Sequence, residues 1–159
     1  MVFLPDMEVF RISKKAFSAV DGTGGLYYSG RWHHTGQRVV YTAQHRSLAA
    51  LEALVHVSKT QLLLKDFILT TIYIPDDLAI QEIELIQLRE DWNIPDNIYQ
   101  TQSIGNMFLQ AISNMILKVP SAIIEDEYNF ILNPVHPDFN RCKITKQQSF
   151  GFDCRLVIQ

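Results

Sequence analysis

Residues 97–117 carry no Asp, Glu, Lys, Arg or His, and no other stretch constrains the fold as much. A charge-free run of that length is either a membrane span or an element packed into a soluble core. Asn97, Gln100, Thr101, Gln102, Ser103, Asn106, Gln110, Ser113 and Asn114 make it too polar to cross a bilayer. Ile104, Met107, Phe108, Ala111, Ile112, Met115 and Ile116 recur at helical spacing. The stretch therefore predicts a core helix over 104–116 with a polar back.

Around this helix the chain reads as short strands. "EVFRI" at 8–12, "RVVYTA" at 38–43 and "DFILTTIYIP" at 66–75 are rich in β-branched and aromatic residues. "SFGFDCRLVI" at 149–158 reads as a last strand, and "NRCKITKQQ" before it as a polar loop. "DDLAIQEIELIQL" at 76–88 carries a weaker helical pattern, and the glycines of "DGTGG" at 21–25 mark a loop. Strands and helices mix without regular βαβ alternation, repeat or linker. The expectation is one α+β domain over 1–159, a mixed β-sheet core with flanking helices.

Charge and cysteine content narrow the function. Fourteen Lys and Arg against seventeen Asp and Glu give a net charge of −3, which offers no field attractive to nucleic acid. Cys142 and Cys154 are too few and too far apart for a zinc motif and suit a reducing compartment. The N-terminal "MVFLPDMEVFRISKK" lacks the basic and apolar regions of a secretion signal. These features predict a cytoplasmic protein with no direct nucleic-acid or membrane contact.

Familiar cofactor motifs are missing. Gly22, Gly24 and Gly25 do not make G-x-G-x-x-G, and no phosphate-cradling G-x-x-x-x-G-K-[ST] occurs. The adjacent His33 and His34 cannot easily serve one metal, and H-E-x-x-H, C-x-x-C and G-x-S-x-G are absent. Neither a metal nor a resident cofactor is expected.

One carboxylate stands out instead. From Ser47 to Ser58, "SLAALEALVHVS", Glu52 is the only formally charged side chain. Ser47 suits an N-cap, and Leu48, Leu51 and Val55 mark an amphipathic helix of about three turns. At about 100° per residue Glu52 falls beside that stripe, one turn from Leu48 and His56. Arg31 in "GRWHHTG", Tyr41, Ser121, Asn129 and Asn133 complete the polar residues of interest. Singly, each has an ordinary reading as surface cation, strand aromatic, helical acid or turn residue.

Taken in order, these residues resemble the RES domain, a bacterial toxin family named for an arginine, a glutamate and a serine. The resemblance runs through "FRI", "GRWHHTGQRVVYTA", "SLAALEALVH", a tryptophan-containing middle, "QSIGNMFLQ", "VPSAII", "EYNFILNPVHPDF" and "FGFDCRL". It implies that Arg31, Glu52 and Ser121 are the name-giving positions and that Tyr41 is a further active-site residue; Asn129 and Asn133 are expected either to contact the substrate or to shape the pocket loop. His33 stands where asparagine is more usual, and Ser29 where a second glycine is common.

The resemblance further implies a compact relative of the ADP-ribosyltransferases that removes nicotinamide from NAD+ by phosphorolysis or hydrolysis. NAD+ would be substrate, inorganic phosphate a co-substrate, and no cofactor would be needed. It also implies a cognate antitoxin of the Xre/MbcA type blocking the active site, and allows a homodimer within that complex. Two other readings stay open: ADP-ribosyl transfer to a protein or small acceptor, and a degenerate domain that only binds its antitoxin.

The chemistry suits the residue set. Breaking the nicotinamide–ribose bond builds positive charge on the ribose, which a carboxylate stabilises. Nicotinamide leaves as a neutral molecule, so no second carboxylic acid is needed to protonate it. Arg31 offers a planar fork for phosphate oxygens, Tyr41 a ring or hydroxyl, and Ser121 a compact hydrogen bond.

Overall fold

The computed structural model describes residues 7–156, which are organised by one seven-stranded sheet. Its strands are β1 (Met7–Lys14), β2 (Val40–Ala43), β3 (Phe67–Ile74), β4 (Ile80–Glu82), β5 (Ile116–Pro120), β6 (Tyr128–Leu132) and β7 (Lys143–Phe150). Their spatial order is β4-β5-β6-β2-β1-β3-β7. β4 and β5 run parallel and every other neighbouring pair antiparallel, so the sheet is mixed. The helices are α1 (Gly24–Tyr27), α2 (Arg46–Leu54), α3 (Lys59–Leu63) and α4 (Tyr99–Ala111).

Both faces of the sheet centre are covered. Val9 and Phe10 are consecutive in β1 and both buried, as are Ile116 and Leu117 in β5. Successive side chains of a strand point to opposite faces, so such pairs occur only where each face has a cover. On one face Val9, Val40, Ile72, Ile116 and Leu132 pack together. On the other, Leu117, Val119 and Ile131 meet Phe108 and Leu109 of α4, while Phe10, Ala43 and Leu69 meet Leu48 and Ala49 of α2. α2 and α4 thus cover the same face over different strands, with the β2–β6 junction between their contact areas.

The α+β architecture matches expectation, but five elements differ from the sequence reading; one is the expected loop at 21–25, whose Gly24 and Gly25 open α1. The core helix is Tyr99–Ala111, not 104–116: Ile112 takes the left-handed conformation at φ 52° and ends it. Met115 is buried just beyond, and Ile116 opens β5, so the apolar stripe continued across a helix-to-strand boundary. The weak helical pattern at 76–88 is β4 followed by a 3-10 turn at Leu85–Gln87. Here Ile80 pairs with Ile116, and sheet pairing overrides a marginal local preference.

The expected loop at 140–148 is largely β7, an edge strand exposed along nearly its whole length. Lys143, Lys146, Gln147 and Gln148 fit such an edge, which needs no apolar alternation and resists pairing with other chains. The expected last strand at 149–158 survives only in Ser149 and Phe150, with Cys154–Leu156 in a 3-10 turn. Phe152 turns inward against Phe67 and Phe150, with ring centroids 5.2 and 5.0 Å away. Positions 157–158 of that strand, and residues 1–6 and 159 of the expected domain, lie outside the described residues. Among the described residues no helix is long and apolar enough to cross a membrane.

Candidate active site

α2 delivers Glu52 to the β2–β6 junction. Its N-cap is His45 rather than Ser47, and it seats on Leu48 and Ala49, whereas Val55 is 60% exposed beyond its end. Glu52 lies four residues after the buried Leu48, so both project from the same line of the helix. There Glu52 Oε1 accepts hydrogen bonds from Asn129 Nδ2 at 2.7 Å and Ser121 Oγ at 3.2 Å. No described residue donates to Oε2.

Each donor is placed by the sheet. Asn129 pairs with Ala43 across β6 and β2, two residues from the Tyr41–Ile131 pair, so Asn129 and Tyr41 share a face. Ser121 follows β5, and its N–H donates to Glu127 O at 2.8 Å to close the β5–β6 connection. Ser121 Oγ also accepts the N–H groups of Ile123 and Ile124, both at 3.1 Å. Asn129 Oδ1 is buried without a hydrogen-bond partner.

The second charge comes from the segment after Gly30. Arg31 Nη1 donates to Trp92 O at 2.6 Å and Nη2 to Ile94 O at 3.3 Å, with the guanidinium 6.0 Å from the Trp92 ring centroid. Partial burial lowers the Arg31 pKa from its ordinary value, while the charge of Glu52 and the Tyr41 group work against that shift. Glu52 and Arg31 are therefore within electrostatic reach of one another. Trp32 is buried beside Trp92, ring centroids 6.3 Å apart.

Tyr41 ties this segment to β2. Its hydroxyl accepts the Trp32 N–H at 3.1 Å and lies 2.7 Å from His33 Nδ1. Desolvation raises the Tyr41 pKa well above the ordinary tyrosine value, against smaller opposing effects of the Trp32 N–H and Arg31, so the hydroxyl stays protonated. Desolvation also lowers the His33 pKa, and the backbone of Tyr28 and Gly25 only partly offsets this. His33 Nε2 is buried without a hydrogen-bond partner. A Cβ on Gly30 would stand 2.6 Å from the Tyr41 hydroxyl oxygen, so the approach requires glycine.

α4 holds the same segment from the other side. Gln102 Nε2 donates to Gly30 O at 3.1 Å and His33 O at 3.3 Å. Asn106 Oδ1 accepts the His34 N–H at 3.0 Å and Gln37 Nε2 at 2.6 Å. Between them Gly105 lies so close to the Trp32 carbonyl that any Cβ would overlap it. Part of the helix's polar side thus faces inward: Gln102 is 8% exposed, while Met107 from the apolar stripe is 71% exposed.

The structure brings Arg31, Tyr41, Glu52, Ser121 and Asn129 into one neighbourhood. Asn133 is engaged elsewhere: Nδ2 donates to Leu109 O at 3.0 Å and Oδ1 accepts the Val135 N–H at 3.1 Å, fastening the end of α4 to β6. Sequence reasoning missed Trp92, Gln102, Gly105 and Asn106. Gln102 and Asn106, four apart and flanking Gly105, were the available signal. Among the described residues no three His, Cys, Asp or Glu side chains gather as a metal site requires.

The fold is that of a solved toxin–antitoxin structure, the M. tuberculosis MbcT–MbcA complex, with a TM-score of 0.76 at 16% identity. The match covers 92% of this chain and 85% of that one. The chain belongs to the RES domain family, which matches residues 8–153. A relative named Toxin Res from Photorhabdus laumondii subsp. laumondii is 41% identical over 154 residues, covering 95% of this chain and 97% of the relative. Another Toxin Res, from Pseudomonas putida, is 38% identical, with 94% and 99% covered. A Sphingobium protein named Prs ADP-ribosylating toxin is 33% identical over 140 residues, with 87% and 86% covered.

Proposed function

We propose that this chain is the toxin of a toxin–antitoxin pair and acts by cleaving the nicotinamide–ribose bond of NAD+. The observation that carries this reading is the Glu52 carboxylate, fixed through Oε1 at the β2–β6 junction with Oε2 left without a donor. A fixed negative charge beside the ribose stabilises the positive charge that develops as the bond breaks. The bonding pair passes to the pyridinium nitrogen and neutralises it, so nicotinamide departs without a proton donor.

Either water or inorganic phosphate completes the reaction at the ribose carbon. Phosphate attack yields ADP-ribose-1″-phosphate; water attack yields ADP-ribose and releases a proton. Phosphate brings negative charge toward Glu52, so its use requires a compensating cation. Arg31 supplies one: its remaining guanidinium N–H groups make no hydrogen bond among the described residues beyond those to Trp92 and Ile94. We take phosphate as the preferred nucleophile and an antitoxin that covers this site as the partner.

The Sphingobium relative's name supports a second reading, transfer of ADP-ribose to a protein or small acceptor. One experiment separates the three. Purified, antitoxin-free protein is incubated with NAD+ labelled in the ADP-ribose moiety across a phosphate titration, with and without cell extract. Phosphate-dependent loss of NAD+ with labelled ADP-ribose-1″-phosphate supports phosphorolysis. A phosphate-independent rate with free ADP-ribose leaves hydrolysis, and label retained on extract proteins or another acceptor establishes transfer.

A further inference from the structure

Ser121 has no hydrogen-bonding capacity left for a substrate. A serine hydroxyl has two acceptor positions and one proton. The N–H groups of Ile123 and Ile124 occupy both acceptor positions, each at 3.1 Å. The single proton is then directed to Glu52 Oε1, 3.2 Å away. Asn129 reaches the same oxygen at 2.7 Å with one of the two N–H groups of its amide. Its other end, Oδ1, is sealed from solvent.

Two donors, one within β6 and one just past β5, therefore converge on one carboxylate oxygen and leave the other uncovered. We propose that Ser121 and Asn129 are positioning residues that clamp Oε1 of Glu52, and that Oε2 is the oxygen presented to the reacting ribose. This rests on the NAD+-cleaving function above for its chemistry, though not for the clamp itself. The two arms are unequal. An amide donor at 2.7 Å is at the short end for its type and a hydroxyl at 3.2 Å is beyond the usual range, so Asn129 is the stronger arm.

The test is a double-mutant cycle between the clamp and the carboxylate, made with Asn129→Leu, Glu52→Ala and the double variant. Asn129→Leu removes the stronger donor and leaves the Ser121 turn intact; Ser121→Ala, which also orphans two backbone N–H groups, is the companion variant. If the clamp acts only through Glu52, Asn129→Leu lowers kcat about tenfold or more, the scale of a displaced reacting group, with KM nearly unchanged. In the Glu52→Ala background the same change has almost no further effect, since there is nothing left to position. Multiplicative losses, or a raised KM at constant kcat, overturn the proposal by placing Asn129 on the substrate.

Thermal unfolding of the same four proteins reads the clamp without substrate. The double variant is expected to lose less stability than the sum of the single losses, because both remove the same bond. Additive shifts contradict the clamp. Coupled unfolding in a wild type that leaves NAD+ intact supports the clamp and sinks the assigned reaction instead.

Discussion

Glu52 is fixed by two side chains, Asn129 and Ser121, whereas Arg31 is fixed by two backbone carbonyls, those of Trp92 and Ile94. The carboxylate sits on a regular helix and receives donors from β6 and from the residue just past β5, so its position depends on a few removable groups. The guanidinium sits on an irregular segment whose path depends on Gly30 passing Tyr41 and on Gly105 passing Trp32. The charge on the regular element is sensitive to polar substitutions beside it. The charge on the loop is sensitive to changes of shape at positions that never touch it.

The largest effect lies on the carboxylate side. Glu52→Gln keeps approximate size and removes charge, and turnover of NAD+ should fall about 10²-fold or more, the scale of a lost preorganised electrostatic contact. Circular dichroism and a cooperative melt should show the fold retained. A folded variant with normal turnover removes Glu52 from the mechanism. On the other side, Arg31→Lys should cost about tenfold, because a point ammonium loses at least one charge-assisted hydrogen bond of the fork. Steady-state kinetics at saturating NAD+ measures it, and full activity would show that the bidentate grip on residues 92 and 94 is dispensable.

Shape changes should act through stability first. Gly105→Ala forces a methyl group against the Trp32 carbonyl, an overpacking expected to lower the melting temperature by about 2–10 °C. Activity should fall with it, although Gly105 belongs to α4 and contacts neither charge. An unchanged melt would mean that the loop and α4 separate without cost.

The smallest effect is a pH dependence. Burial holds the His33 pKa below its unfolded value of about 6.5, so the unfolded chain binds the proton more readily. The stability from neutral His33 is complete above that unfolded value and is lost as pH falls through the folded one. Urea midpoints measured from pH 8 to pH 5 should therefore decline more steeply for the wild type than for His33→Asn. Parallel curves would remove His33 from this account.

Much of the scaffold was legible because burial leaves a pattern. The residues around Val9, Val40 and Leu69 read as strands, and Leu48 and Leu51 marked α2. β7 was not legible, since an edge strand open on both faces looks like polar loop. The end of α4 was obscured because Met115 and Ile116 continue the helix's apolar spacing into β5. α3 was not among the expected elements, although Ser58 and Gln61 cap its start in S-x-x-Q spacing.

In the site, Arg31 and Glu52 stood out as charges in otherwise apolar or glycine-rich surroundings. Gln102 and Asn106 did not, because a helix's polar side reads as a solvent face when it meets a buried loop. Nor does amide chemistry distinguish Asn129, which bonds to Glu52, from Asn133, which fastens a helix end. What separates them is that Asn129 lies within β6, opposite Ala43, and Asn133 just past its end.

The most direct measurement is nicotinamide release from NAD+ by the purified chain, followed over time beside Glu52→Gln. Cleavage at a ribose cation stabilised by Glu52 predicts steady release by the wild type, one ADP-ribosyl product per nicotinamide, and about 10²-fold slower release by the folded variant. Intact NAD+ after prolonged incubation with the folded wild type, or equal rates for the two proteins, would contradict it.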